Sequence, residues 1–197
     1  AELARWVMRV ARGVHDAHSR NVVHRDLKPD NVLLAAETER DRVPHIRVAD
    51  FGIAKIAGGI VGDRLTRSGA FVGTPEYAAP EQFEGKTPTA ATDVFAAGLL
   101  FVYLLTGTGP FHFSHRADIA TSHAEMLAQF PVKLATIAGA DPATMKRLQD
   151  VVQHMLVVDP AQRDQPHAVV GARHRDLRPV VLAQHLGDRQ VGIGRPA

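Results

Sequence analysis

The sequence predicts a mainly α-helical domain carrying one small β-hairpin, and three observations support that expectation. Apolar residues recur at helical spacing from Glu2 to about Ser19. A long apolar segment, Ala91 to Thr106, has a start signal in Thr92-Asp93 and a stop signal in Gly107. Only two short runs, Val32-Leu33-Leu34 and Ile46-Arg47-Val48, read as strands.

In chain order, Leu3, Val7, Val10, Ala11, Val14 and His18 form one face of the opening helix, with arginines opposite. The helix delivers the chain through Asn21-Val22-Val23 into the polar stretch His24-Arg25-Asp26-Leu27-Lys28-Pro29-Asp30-Asn31. The two strands follow, joined by a charged connection from about Ala36 to Pro44, which reads as a solvated loop. Their pairing sets Asn31 and Asp50 at neighbouring strand ends. Residues 53–72 are rich in Gly, Ser and Thr without periodicity, which predicts a mobile loop. Ala91 to Thr106 is the most hydrophobic segment and is expected to be the central helix. Amphipathic patterns around Asp118 to Phe130 and Pro142 to Val158 predict further helices.

The chemistry concentrates in three stretches. In the first, Asp26 and Asn31 are spaced so that a carboxylate can orient a hydroxyl proton while an amide oxygen further along the loop reaches a metal ion. The second is Asp50-Phe51-Gly52, and the third is Gly73-Thr74-Pro75-Glu76-Tyr77-Ala78-Ala79-Pro80-Glu81. In this order they resemble the catalytic loop, magnesium-binding motif and substrate-docking segment of the protein kinases.

That resemblance covers residues 1–163 and implies the large, C-terminal lobe of a kinase. No glycine-rich loop, strand lysine or helix glutamate precedes the catalytic-loop stretch, so the N-terminal lobe is expected to be absent and the chain to be a fragment. Residues 164–197, where Asp164-Gln165-Pro166 replaces the family's usual continuation, are set apart as a divergent tail.

The resemblance implies a role for each matching residue. Asp26 would orient the substrate hydroxyl and accept its proton. Lys28 and Thr74 mark the serine/threonine class, and Lys28 would stabilise charge on the transferred group. Asn31 and Asp50 would hold magnesium or manganese, and Leu33 would join them on the nucleotide side. His24 and Phe51 resemble two members of the family's hydrophobic spine, and Gly52 would let the backbone swing. Arg25 goes with control by loop phosphorylation, for which Thr66 and Ser68 are the candidate acceptors. Glu81 and Arg163 resemble a buried ion pair, and Asp93 the aspartate that holds the catalytic loop's backbone.

The implied activity is transfer of the ATP γ-phosphate to protein Ser/Thr hydroxyls, with ATP, Mg2+ (or Mn2+) and a protein substrate as partners. The alternative is a catalytically silent remnant that binds a protein through the docking segment. The Glu-Gln after Ala-Pro and the excess of arginine over lysine suggest a bacterial kinase of the eukaryotic-like type.

Composition narrows the rest. The chain has 197 residues, 45% of them hydrophobic, enough for one real core. A formal net charge of +2 argues against a nucleic-acid partner. The absence of cysteine excludes disulfides, zinc-thiolate sites and a thiol nucleophile. The longest apolar run, Val94 to Leu105, is too short to cross a bilayer, and no signal peptide opens the chain. A cytoplasmic protein with no membrane segment is expected. His112, His115 and His123 lack the spacing of a metal site, and no Gly-Lys-Ser/Thr supports a P-loop hydrolase.

Overall fold

The computed structural model describes residues 2–35, 45–51, 74–107, 109 and 142–163. The connection after Ala35, Gly52, the loop containing Thr66 and Ser68, the segment around Asp118 to Phe130, the three histidines within and beside it, and the tail from 164 onward lie outside the described residues. What is described is mainly helical with one two-stranded antiparallel sheet. The elements are α1 (Glu2–His18), β1 (Val32–Ala35), β2 (His45–Val48), α2 (Pro80–Phe83), α3 (Ala90–Thr106) and α4 (Pro142–Met155).

Helix α3 is the centre because it has no polar face to give to water. Val94, Phe95, Ala96, Leu99, Leu100, Phe101 and Val102 are all buried, although they point in every direction around the axis. One side packs with Val10 and Val14 of α1 and with Leu27, while Val32, Ile46 and Val48 of the sheet close over the same cluster. Val94 meets Ala11 of α1 and Met155 of α4. Each large apolar side chain so buried stabilises the fold by roughly 1.5–3 kcal/mol.

Where α3 passes the end of α4, the spacing is set by Gly98. A Cβ there would stand 2.9 Å from Leu156 Cδ2 and 3.0 Å from Met155 Cβ. Both ends of α3 follow from local sequence. At the start, Thr92 Oγ1 accepts the Thr89 backbone N–H at 3.0 Å. At the finish Gly107 takes a left-handed φ of 66° and its N–H bonds Tyr103 O at 2.8 Å.

The sheet pairs Val32 with Val48, Leu33 with Arg47, Leu34 with Ile46 and Ala35 with His45. Strand alternation puts Val32, Ile46 and Val48 on the core face and Leu33 and Arg47 on the other. The ladder runs one step further, from Ala49 N–H to Asn31 O at 2.8 Å. That bond brings the end of the polar stretch beside the residue preceding Asp50.

Candidate functional site

The polar stretch begins where α1 is stopped. Asn21 adopts φ 57°, its N–H bonds His18 O at 2.9 Å, and Val22 N–H reaches back to Ala17 O at 2.9 Å. This paired closure turns the chain sharply off the helix, and asparagine tolerates the left-handed conformation it requires.

The backbone of the turn is then gripped by one carboxylate. Asp93, 1% exposed on α3, accepts the His24 N–H at 2.7 Å and the His18 Nε2–H at 2.7 Å on Oδ2, and the Arg25 N–H at 2.8 Å on Oδ1. A buried carboxylate holds its place only with such donors around it. The grip is needed because Arg25 has φ 72°, a conformation costing a non-glycine residue roughly 1–2 kcal/mol.

His24 connects the turn to the sheet. Its ring, fully buried, donates from Nε2 to Ala49 O at 2.9 Å and accepts the Asp26 N–H on Nδ1 at 3.3 Å. A carbonyl only accepts and an amide N–H only donates, so these two bonds fix the tautomer. The ring also lies against Phe51, with centroids 4.7 Å apart and planes tilted by 44°.

Around Asp26 the polar groups converge. Lys28 Nζ donates to Thr74 Oγ1 at 2.9 Å and stands 3.7 Å from Asp26 Oδ2. The second distance is an ion pair rather than a hydrogen bond, and both side chains reach solvent, so it contributes at most about 1 kcal/mol. Asn31, buried in the short 3-10 turn Pro29–Asn31, donates from Nδ2 to Asp26 O at 2.8 Å. That contact commits the amide nitrogen to the loop and turns the amide oxygen the other way. Asp50 is exposed, with φ 54°, at the end of β2. Leu33 is half-buried on the sheet face opposite the core cluster.

A small, open cleft lies between this loop and α3, with Arg25, Asp26, Thr74, Tyr77, Gln82 and Asp93 among its walls. Burial, followed by the neighbouring Tyr103, Asp30 and Glu76, pushes the Tyr77 phenol far above its ordinary value.

Behind the cleft, Glu81 and Arg163 form a two-pronged pair at 2.7 and 2.8 Å. Burial alone would raise the Glu81 carboxyl. The Arg163 hydrogen bond, the local backbone bond, the Arg163 charge and the Thr92 hydroxyl outweigh it, so the carboxyl lies below its ordinary value. Arg163 also donates to the carbonyls of Ala91 and Val158 at 3.0 and 2.8 Å and to that of Val157, and its guanidinium sits 4.7 Å over the Phe95 ring.

The structure therefore brings Asp26, Lys28, Thr74 and Asn31 together and sets Asp50 on the adjoining strand end. Gly52, Thr66 and Ser68 lie outside the described residues. Two members of the framework escaped sequence reasoning. His18 was readable only as the last buried position of α1, where a polar residue on an apolar stripe is the available signal. Gln82, which bonds both Ala79 N–H and Arg25 O, had none beyond its place after Ala-Pro-Glu.

As to a metal, among the described residues no group of three or more His, Cys, Asp or Glu side chains is placed to hold an ion. The pair present, one amide oxygen and one carboxylate, suits a cation that takes few protein ligands and completes its shell with phosphate and water, as magnesium does.

Comparison with known proteins is consistent across sequence and structure. The chain is 37% identical over 162 residues to the serine/threonine-protein kinase pkn3 of Myxococcus xanthus, covering 82% of this chain and 28% of that protein. It is 36% identical over 183 residues to the serine/threonine-protein kinase PkaA of Streptomyces coelicolor, covering 93% of this chain and 30% of that one. The chain thus spans less than a third of the length of either curated relative. A crystal structure of Rad53 in complex with AMP-PNP shares the fold, with a TM-score of 0.63 at 24% identity over 86% of this chain and 39% of that one. The family model described as the protein kinase domain matches residues 1–174, and with the framework around Asp26 this makes the chain a member of the protein kinase family.

Proposed function

We propose that this chain carries the phosphotransfer centre of a serine/threonine protein kinase, acting on protein Ser/Thr hydroxyls with ATP as donor. The observation that carries the reading is the convergence on Asp26: Lys28 Nζ 3.7 Å from its carboxylate, Thr74 tied to Lys28 at 2.9 Å, and the Asn31 amide bonded to its carbonyl at 2.8 Å.

In this reading Asp26 accepts a hydrogen bond from the incoming hydroxyl, aligns its oxygen and takes up the proton as that oxygen bonds to the γ-phosphorus and the bond from phosphorus to the departing ADP breaks. Lys28, held by Thr74, supplies positive charge beside the transferred group. The Asn31 amide oxygen and the Asp50 carboxylate would hold magnesium, with Leu33 on the nucleotide side. Magnesium, when bound, neutralises charge on the phosphate oxygens. Residues 1–163 correspond to the family's large lobe and residues 164–197 to a separate tail. Thr66 and Ser68 are the proposed phosphate acceptors that would pair with Arg25.

The test is magnesium-dependent ATP binding by calorimetry, together with phosphate transfer to serine- and threonine-containing peptides. Asp26→Asn should leave binding intact and lower transfer by about 10²–10⁴-fold, the usual worth of a positioned base. Equal transfer by both proteins would overturn the assignment. Binding of a peptide without any ATP binding would favour the silent module.

A further inference from the structure

Gln82 is 3% exposed and uses both ends of its carboxamide on different segments. Its Oε1 accepts the Ala79 N–H at 2.9 Å, within the docking segment. Its Nε2 donates to the Arg25 carbonyl at 3.3 Å, across to the loop that bears Asp26. The two ends are not interchangeable, since one faces a donor and the other an acceptor.

The peptide it reaches is the one that needs holding. Arg25 sits at φ 72°, and its N–H is already fixed by Asp93 at 2.8 Å. The Asp93 bond holds the peptide before Arg25, whereas the Arg25 carbonyl belongs to the next peptide plane, whose nitrogen is Asp26. The Asp26 N–H in turn bonds His24 Nδ1 at 3.3 Å. With Gln82 in place both peptides flanking Arg25 are held, the one before it by Asp93 of α3 at the N–H, and the one after it by Gln82 at the carbonyl and His24 at the Asp26 N–H.

We infer that Gln82 is a positioning residue: it clamps the Arg25 carbonyl and thereby ties the direction of the Asp26 side chain to the seating of the docking segment. This rests on the reading of Asp26 as the residue that aligns the acceptor hydroxyl. Disorder in the docking segment then frees the Arg25 carbonyl, so the Arg25–Asp26 peptide keeps its Asp26 N–H bond to His24 but loses its second restraint.

Gln82→Glu separates the two bonds. The carboxylate keeps an acceptor for Ala79 N–H, loses the donor to Arg25 O and sets two oxygens against each other. Amide hydrogen exchange of the native chain and the variant, read by NMR as protection factors at His24, Arg25 and Asp26, reports the clamp whether or not the chain transfers phosphate. At pH 7 the variant should lose at least about tenfold protection at these three amides, with α1 and α3 changed much less. On acidification the protonated carboxyl regains a donor, and protection should return. Gln82→Met, uncharged and of similar length, should show the local loss without the return. In the transfer assay both variants should lower kcat and leave the KM for ATP unchanged.

Unchanged protection at the three amides in Gln82→Glu, or a loss spread evenly through α1 and α3, overturns the inference. So does a local loss in Gln82→Met alone, which would assign the residue to the Ala79 cap. Should Gln82→Glu not fold, unchanged protection in Gln82→Met has the same force. A native chain that transfers no phosphate defeats the kinase reading and leaves the exchange result to judge the clamp.

Discussion

Replacing Arg163 by methionine removes the guanidinium whose two hydrogen bonds, at 2.7 and 2.8 Å, answer the buried Glu81 charge. Glu81 and Arg163 are 4% and 3% exposed, so water does not reach in to compensate. Breaking a buried pair from one side costs about 3–5 kcal/mol. The carbonyls of Ala91, Val157 and Val158 lose donors as well, which places the expected loss at the upper end of that range. A domain of this size is commonly stable by about 5–15 kcal/mol, so the variant should fold but unfold at much lower urea concentration. Glu81→Met should cost a similar amount by stranding the arginine. The double replacement removes both charges and should fall short of the additive loss by about 2 kcal/mol or more.

The pH dependence gives an independent reading. In the native chain the depressed Glu81 carboxyl contributes its stability in full above the ordinary glutamate range, and this is lost as the pH falls through the depressed value. In Arg163→Met, burial without a partner raises the same carboxyl, so the variant loses stability as the pH rises through it. The two curves should converge on acidification. Urea unfolding followed by far-UV circular dichroism, at several pH values, measures all of this. Single variants within about 1 kcal/mol of the native chain at pH 7, or a strictly additive double variant, would refute the reasoning.

Three further outcomes follow from the packing and the site. Gly98→Ala pushes a methyl into Leu156 and Met155 and should destabilise by about 1–3 kcal/mol in the same urea assay, with Gly98→Ser no better. Asp93→Asn turns one of three buried acceptor contacts into a clash of donors; it should cost about 1.5–3 kcal/mol and reduce phosphate transfer more than ATP binding. The chain has two tyrosines, and tyrosinate absorbance should rise late for Tyr77, well above the range of free tyrosine. Because that phenol is raised, it contributes stability that is complete below the ordinary tyrosine pKa and is lost as the pH climbs through the raised value. Tyr77→Phe should abolish the late step.

Much of this architecture was readable because its signals are local. The buried helix Ala90–Thr106 announced itself through an unbroken apolar run closed by Gly107, and its start differs from the sequence expectation by one residue. The strand pair was visible as the short runs Val32-Leu33-Leu34 and Ile46-Arg47-Val48, and the structure adds the register, with Val32 opposite Val48 on the core side. Asp26, Lys28, Asn31 and Thr74 were nameable from motif order and the family resemblance it carries, and the pairing of Glu81 with Arg163 from that resemblance.

The contacts that join segments distant in the chain had no such local signal. Asp93 lies 68 residues from Arg25 and Gln82 lies 57; no periodicity in either stretch encodes the approach, and only the family resemblance pointed to the first. His18 looked like one more member of an apolar stripe until α3 brought a carboxylate to within 2.7 Å of its ring. Local sequence thus fixed which helices and strands form and which side chains could do chemistry, because propensity, capping and patterning act over a few residues. Folding alone decided which of those side chains meet, because a buried polar group takes whichever partner the packing of the whole core delivers to it.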